Sequence, residues 1–195
     1  MKTNPIKKTY KGRLVLDVPS LELENGKIYS IVGANGSGKS TFAKILAGIV
    51  PADEGNYALQ NSGYMAQKSY AFNMSLEKNI MINGDSKERC HTLMESLNIA
   101  YLSANKAQTL SGGETAKMAL ARIMMKDYKV LILDEPTAAM DKDSVFLTEK
   151  LILEYVKKNQ CIVILITHSL EQAKRISDEI IEIDYGKIAK REVIK

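Results

Sequence analysis

Apolar residues gather in short unbroken runs along the chain, at Lys27 to Val32, Lys129 to Leu133 and Cys161 to Ile166. The last two lack the polar alternation of a strand with one wet face, so they predict central strands of a parallel sheet covered on both sides. The first enters a glycine-rich turn, after which the spacing predicts a helix over Lys39 to Ala47, closed by Gly48 at its C-terminal end. Helical spacing also covers Glu114 to Met125, Ser144 to Lys158 and Leu170 to Ser177. The tail from Glu179 to Ile194 predicts two strands around Asp184-Tyr185-Gly186-Lys187, where Gly186 supplies a positive φ. Strands alternating with helices make this an α/β chain.

Composition narrows the class without naming the chemistry. The 195 residues, 45% hydrophobic and 26% charged, fit one ordinary folded domain with a sizeable core. A membrane helix needs about 20 apolar residues. The longest runs here are strand-length, and Met1 to Tyr10 holds no apolar stretch of signal-peptide length, so the expected location is the cytoplasm. Cys90 and Cys161 lie far apart without metal-ligand spacing and are expected to be reduced bystanders. The net charge of +4 comes from scattered lysines rather than a basic block interleaved with aromatics, so no nucleic-acid partner is expected.

The run Gly33-Ala34-Asn35-Gly36-Ser37-Gly38-Lys39-Ser40 matches the phosphate-loop pattern GxxxxGK[ST], and it follows a strand and opens a helix as that pattern requires. Its glycines let backbone N–H groups converge on phosphate oxygens, and the helix N-terminus presents about half a positive charge to them. Lys39 is placed to reach the β- and γ-phosphates, and Ser40 to bind Mg²⁺. The loop alone leaves GTPases, kinases and many ATPases open.

Two further stretches carry chemistry. Lys129 to Leu133 ends in Asp134 and Glu135, which puts two carboxylates at the C-terminal edge of the sheet, where α/β folds bind ligands. Asp134 suits a Mg²⁺ ligand, and Glu135 suits a group that orients or deprotonates an attacking water. Leu110-Ser111-Gly112-Gly113-Glu114 reads as a capping box, with Ser111 as N-cap and Glu114 reaching back. A helix capped in this way, with glycine amides facing outward, is also a second anion site. One nucleotide cannot easily lie on both helices of one chain, which suggests phosphate supplied by another subunit.

The phosphate loop, Gln67, Leu110 to Glu114, Leu131 to Thr137, Asp141 and His168 occur in the order seen in ABC-type ATPases, and the chain resembles that family over nearly its whole length. The resemblance implies a P-loop NTPase core, RecA-like with a mostly parallel sheet, plus a small antiparallel β subdomain and a reduced helical subdomain. It implies a single ATP-binding domain over residues 1–195, with the helical subdomain at roughly 68–125, binding ATP and Mg²⁺ and hydrolysing the ATP. Carried over by position, Tyr10 would stack on adenine, and Gly33, Asn35, Gly36, Ser37, Gly38, Lys39, Ser40 and Thr41 would bind the nucleotide. Glu135, His168 and Gln67 would be catalytic, with Ser40, Gln67 and Asp134 around the metal. Ser111, Gly112, Gly113 and Glu114 would meet the ATP of an opposite protomer, and Asp141 would cross the dimer interface. Glu114 stands where the family usually has glutamine, and Ala138-Ala139-Met140 where Ser-Ala-Leu is frequent.

Among such proteins the single unit fits a transporter ATPase whose membrane-spanning subunits are separate chains. It would be held at the cytoplasmic face of the membrane through those subunits and paired with a second copy of itself or a homologous ATPase. The alternative is a soluble ABC protein of DNA repair or translation. Those carry a long coiled coil, a tandem second unit or cysteine clusters, which this sequence does not have. The phrase Leu23 to Tyr29 and the small size resemble the ATPase subunits of tungstate or molybdate importers. Tyr64 to Met81 interleaves Met65, Tyr70, Phe72, Met74 and Leu76 around Gln67, a mixture that suits either a core or a surface gripping a partner helix.

Overall fold

The structure is a computed structural model and describes residues 1–54 and 59–195. Its main sheet has six strands in the order β4-β5-β6-β3-β7-β8, where β3 is Ile28–Val32, β4 Ser62–Met65, β5 Val130–Asp134, β6 Ile162–Ile166, β7 Glu179–Asp184 and β8 Lys187–Val193. Every residue of β3, β5 and β6 is buried, which explains why their sequences show no alternation. β3 pairs in parallel with β6 on one side and β7 on the other, and β5 pairs in parallel with β6. The C-terminal ends of β5, β6 and β3 therefore lie side by side on one edge. β7 and β8 form the expected hairpin, turning at Tyr185 and Gly186, both at positive φ, as a tight primed turn demands.

A separate antiparallel pair, β1 (Ile6–Tyr10) and β2 (Arg13–Val18), forms the small second sheet. One cluster joins Ile6, Leu16 and Val18 of this pair to Ile31, Phe42, Ile45, Leu46, Ile132, Ile164 and Ile183. Each such aliphatic side chain contributes about 1.5 to 3 kcal/mol by leaving water. Phe42, Ile45 and Leu46 come from helix α1, Lys39–Leu46, whose amphipathic spacing follows directly from the Lys39 to Ala47 expectation.

The chain divides into two compact units. The first comprises residues 1–64, 128–135 and 159–195, which hold both sheets and α1; the second comprises residues 65–127 and 136–158. The second unit is helical, with α2 at Leu76–Met81, α3 at Lys87–Ser96, α4 at Gly112–Ile123 and most of α5, Lys142–Asn159. Helix α4 starts at Gly112, two residues before the position that side-chain spacing predicts. Ser111 sets the start, because its hydroxyl accepts from the Glu114 N–H while the Glu114 carboxylate accepts from the Ser111 N–H. α6, Leu170–Ile176, follows β6 in the first unit. No helix among the described residues is long and apolar enough to cross a membrane.

Candidate active site

The parallel pairing of β3, β6 and β5 delivers three chain segments to one sheet edge: the phosphate loop after β3, Asp134 and Glu135 at the end of β5, and Thr167-His168 after β6. Ile166 is the register partner of both Ile31 and Asp134, so the three strands end in step. This places the groups that sequence reasoning selected in one neighbourhood.

The phosphate loop is shaped by backbone that side chains would obstruct. Gly33 lies at φ +143, and a Cβ there would sit 2.1 Å from the Ile183 carbonyl oxygen. Gly38, the N-cap of α1, lies at φ +108, and a Cβ would come within 2.7 Å of Leu16. No side chain caps α1, so its first N–H groups are left for a ligand. Lys39 is buried, and its ammonium donates 2.8 Å hydrogen bonds to the carbonyls of Gly33 and Ala34, lying across the loop. The Ser37 hydroxyl is buried without a partner in the same loop, while Asn35 and Gly36 are exposed and Thr41 is half-buried. A buried polar atom left unpaired at an uncapped helix end fits an anion that supplies the missing acceptor.

Asp134 is 2% exposed, and each of its oxygens accepts a hydrogen bond. Ser40 Oγ donates to Oδ1 at 3.3 Å, and the Tyr64 hydroxyl donates to Oδ2 at 3.1 Å. A hydroxyl and a carboxylate oxygen side by side are hard donors of the kind Mg²⁺ takes, with the remaining positions filled by water and phosphate. The residues present therefore fit the ion: Ser40 and Asp134 would hold it, and bound there it would neutralise phosphate charge. No group of three or more His, Cys, Asp or Glu capable of holding a metal occurs among the described residues.

Glu135 takes a positive φ of 50°, a conformation that costs a non-glycine residue about 1 to 2 kcal/mol. Its N–H donates to the Ile166 carbonyl at 3.0 Å, which holds the bend, and its carboxylate lies 3.4 Å from His168 Nδ1. Only 13% of the Glu135 side chain is exposed, against 63% for His168. Strain held at a carboxylate beside an exposed imidazole is the arrangement expected where a water must be met at a fixed angle. Tyr10 stands exposed at the end of β1, with the Lys8 ammonium 5.3 Å from its ring centroid.

Gln67, Ser111 to Glu114 and Asp141 belong to the second unit. There the N-terminus of α4 opens on a cavity of about 510 Å³ lined by Ser111, Gly112, Gly113, Lys117 and Asp141 among others. A Cβ on Gly113 would meet the Ala139 carbonyl at 2.9 Å, so the glycine is what lets residues 139 and 140 lie against α4. Asp141 accepts from the Ser144 N–H and hydroxyl, both at 2.8 Å, and these bonds, aided by the Lys117 charge, hold its carboxyl below the usual range. Gln67 is exposed.

Two functional candidates escaped the sequence reading. Tyr64 touches a carboxylate 70 positions away, and Lys117, 8% exposed, lines the α4 cavity one helical turn after Gly113. Only the i, i+4 spacing of Gly113 and Lys117 could have signalled the second. The Tyr64 to Met81 stretch, open between core and contact in sequence, divides: Met65 and Leu76 are buried, whereas Tyr70 and Phe72 are 65% and 40% exposed. The buried Asn79 carboxamide accepts from Phe72 N and donates to Phe72 O, Met74 O and Ser75 O, which organises the loop and turns the aromatics outward.

The family model described as "ABC transporter" matches residues 16–138. The tungstate uptake system ATP-binding protein TupC of Peptoclostridium acidaminophilum is 38% identical, over 94% of each chain. The aliphatic sulfonates import ATP-binding protein SsuB 1 of Pseudomonas syringae pv. tomato is 33% identical over 90% of this chain and 67% of its own length. In fold, the ATP-binding cassette MJ0796, solved as a dimer in a post-hydrolysis state with ADP and Pi, superposes with a TM-score of 0.89 at 22% identity, over 100% of this chain and 98% of that one. The chain belongs to the ABC transporter family, as one of its ATP-binding, ATP-hydrolysing subunits.

Proposed function

We propose that this chain powers the import of a tungstate-type oxyanion, hydrolysing ATP as a head-to-tail dimer coupled to membrane-spanning subunits on other chains. The observation that carries the cargo assignment is the 38% identity to a tungstate uptake ATP-binding protein along 94% of both chains. The Leu23 to Tyr29 phrase points the same way.

Within residues 1–195, read as a single ATP-binding domain whose helical subdomain spans roughly 68–125, each site group has a stated task. Tyr10 offers a flat face for adenine. The loop from Gly33 through Asn35, Gly36, Ser37, Gly38, Lys39, Ser40 and Thr41 binds the triphosphate, with Lys39 leaving its carbonyl partners for phosphate oxygens. Glu135 accepts the proton of the attacking water, His168 meets the γ-phosphate, and Ser40 and Asp134 hold the metal. Ser111, Gly112, Gly113 and Glu114 receive the γ-phosphate of the partner copy's ATP, and Asp141 links the two sites. The exposed Tyr70 and Phe72 dock the membrane subunit, which keeps the chain at the cytoplasmic face of the membrane. Edge-on packing of the two rings at 4.9 Å, and the Arg122 guanidinium 5.2 Å from the Phe72 ring centroid, give that surface a fixed shape.

Reconstituting the chain in vesicles with the membrane and binding subunits that co-purify with it tests this reading. Tungstate should enter on addition of ATP, and a charged residue at Tyr70 should abolish entry while the isolated chain stays folded. A complex that hydrolyses ATP yet moves no oxyanion would refute the cargo, and normal co-purification of the Tyr70 variant would refute the docking surface.

A further inference from the structure

Asp134 is a buried carboxylate with two oxygens that meet different neighbours. Oδ1 faces the Ser40 hydroxyl at 3.3 Å, and Oδ2 accepts from the Tyr64 hydroxyl at 3.1 Å. Tyr64 is itself half-buried, packed against the core of the first unit from strand β4, the strand next to β5 in the sheet. Gly63 of strand β4 lies against the Tyr128 ring, whose atoms would come within 2.7 Å of a Cβ at that position.

A carboxylate that offers one oxygen to a cation can rotate and present the other, or bridge both. A hydrogen bond to the far oxygen removes that freedom, as partners of metal-ligating carboxylates commonly do.

We propose that Tyr64 is a positioning residue of the metal site: its hydroxyl pins one oxygen of Asp134, so that the other is presented beside Ser40 to the cation. The inference rests on the reading of Ser40 and Asp134 as the metal-binding pair. It assigns Tyr64 no contact with nucleotide and no part in proton transfer. It also separates two explanations of the bond, since a donor that merely satisfies a buried carboxylate would serve the folded chain equally with or without Mg²⁺.

The experiment compares the full-length Glu135→Gln chain, with and without Tyr64→Phe, for binding of a fluorescent ATP analogue in EDTA and across a Mg²⁺ titration. Tyr64→Phe should leave binding in EDTA unchanged and raise the Mg²⁺ concentration at half-effect roughly 10-fold, the typical consequence of losing a partner of a metal ligand. In an Asp134→Asn background the same substitution should add less than about 2-fold, since no carboxylate is left for the hydroxyl to orient toward the cation. An unchanged Mg²⁺ midpoint overturns the proposal, and so does a Tyr64→Phe chain that no longer folds in the absence of nucleotide, which would make the hydroxyl structural. If Asp134→Asn itself leaves the Mg²⁺ midpoint unmoved, the metal-site reading fails instead.

Discussion

Helix α1 begins at Lys39 behind a loop whose Gly33, Gly36 and Gly38 all take positive φ, and no side chain caps it. Helix α4 begins at Gly112 behind Ser111, whose hydroxyl and whose partner Glu114 close a reciprocal capping box, and its glycines have ordinary helical backbone. Both ends carry the partial positive charge of a helix N-terminus. They differ in what the chain does with the N–H groups. At α1 the loop wraps the position that an anion would take and spends no side-chain acceptor there. At α4 two of the donors are already occupied, and the Gly112 and Gly113 amides remain at the mouth of an open cavity. The first can surround a phosphate; the second can only touch one that something else holds. This asymmetry is the physical ground for giving the two helices to different copies of the chain.

Substitutions should respect the contrast. The largest effect is expected at the cradle's reacting end, where Glu135→Gln keeps the shape but removes the base, lowering the hydrolysis rate about 100- to 10,000-fold. Binding of an ATP analogue should persist, and a chain that lost binding and turnover together would show that Glu135 acts before chemistry. Next come the glycines. Gly33→Ala forces a Cβ onto the Ile183 carbonyl in a backbone conformation closed to alanine, and should lower unfolding free energy on the order of 3 kcal/mol. Gly112→Ala meets only the Ala139 side chain at 3.5 Å and should change stability by no more than about 1 kcal/mol, the helix-propensity difference. Denaturant titration of the two variants compares them directly, and equal losses would erase the distinction between cradle and open face. Ser111→Ala removes the cap and should cost a comparable amount, about 1 kcal/mol in thermal unfolding, without altering ATP binding to a monomer.

Much of this was readable before the fold was known, because phosphate chemistry is written in contiguous residues. The stretch Gly33 to Ser40, the carboxylate pair after β5 and the capping box each occupy a few neighbouring positions, so their local geometry could be read from the pattern. The buried strands were legible for the same reason, a run such as Cys161 to Ile166 having few alternatives. What escaped depends on contacts between distant positions. Nothing near Tyr64 in sequence announces Asp134, and nothing near Gly33 announces that Ile183 lies over it. The apolar residues from Tyr64 to Met81 resisted assignment because part of the stretch is a loop whose backbone at Phe72 is bonded to the Asn79 carboxamide, and no periodicity encodes that. The start of helix α4 was legible, since the capping box read at Ser111 and Glu114 sets it at Gly112 despite the poor helix propensity of two glycines.

The central claim is that the α1 cradle of one copy and the α4 face of another complete one site. Two disabled chains test it most directly. Lys39→Ala removes the ammonium that lies across the phosphate loop, and Ser111→Arg blocks the mouth of the α4 cavity, so each chain alone should neither dimerise with ATP nor hydrolyse it. Mixed in equal amounts, they can form a hybrid in which one site has both an intact loop and an intact α4 face. The account predicts that ATP-dependent dimers appear on a sizing column only in the mixture, together with a fraction of wild-type hydrolysis. A mixture as monomeric and inactive as its parts would contradict the account.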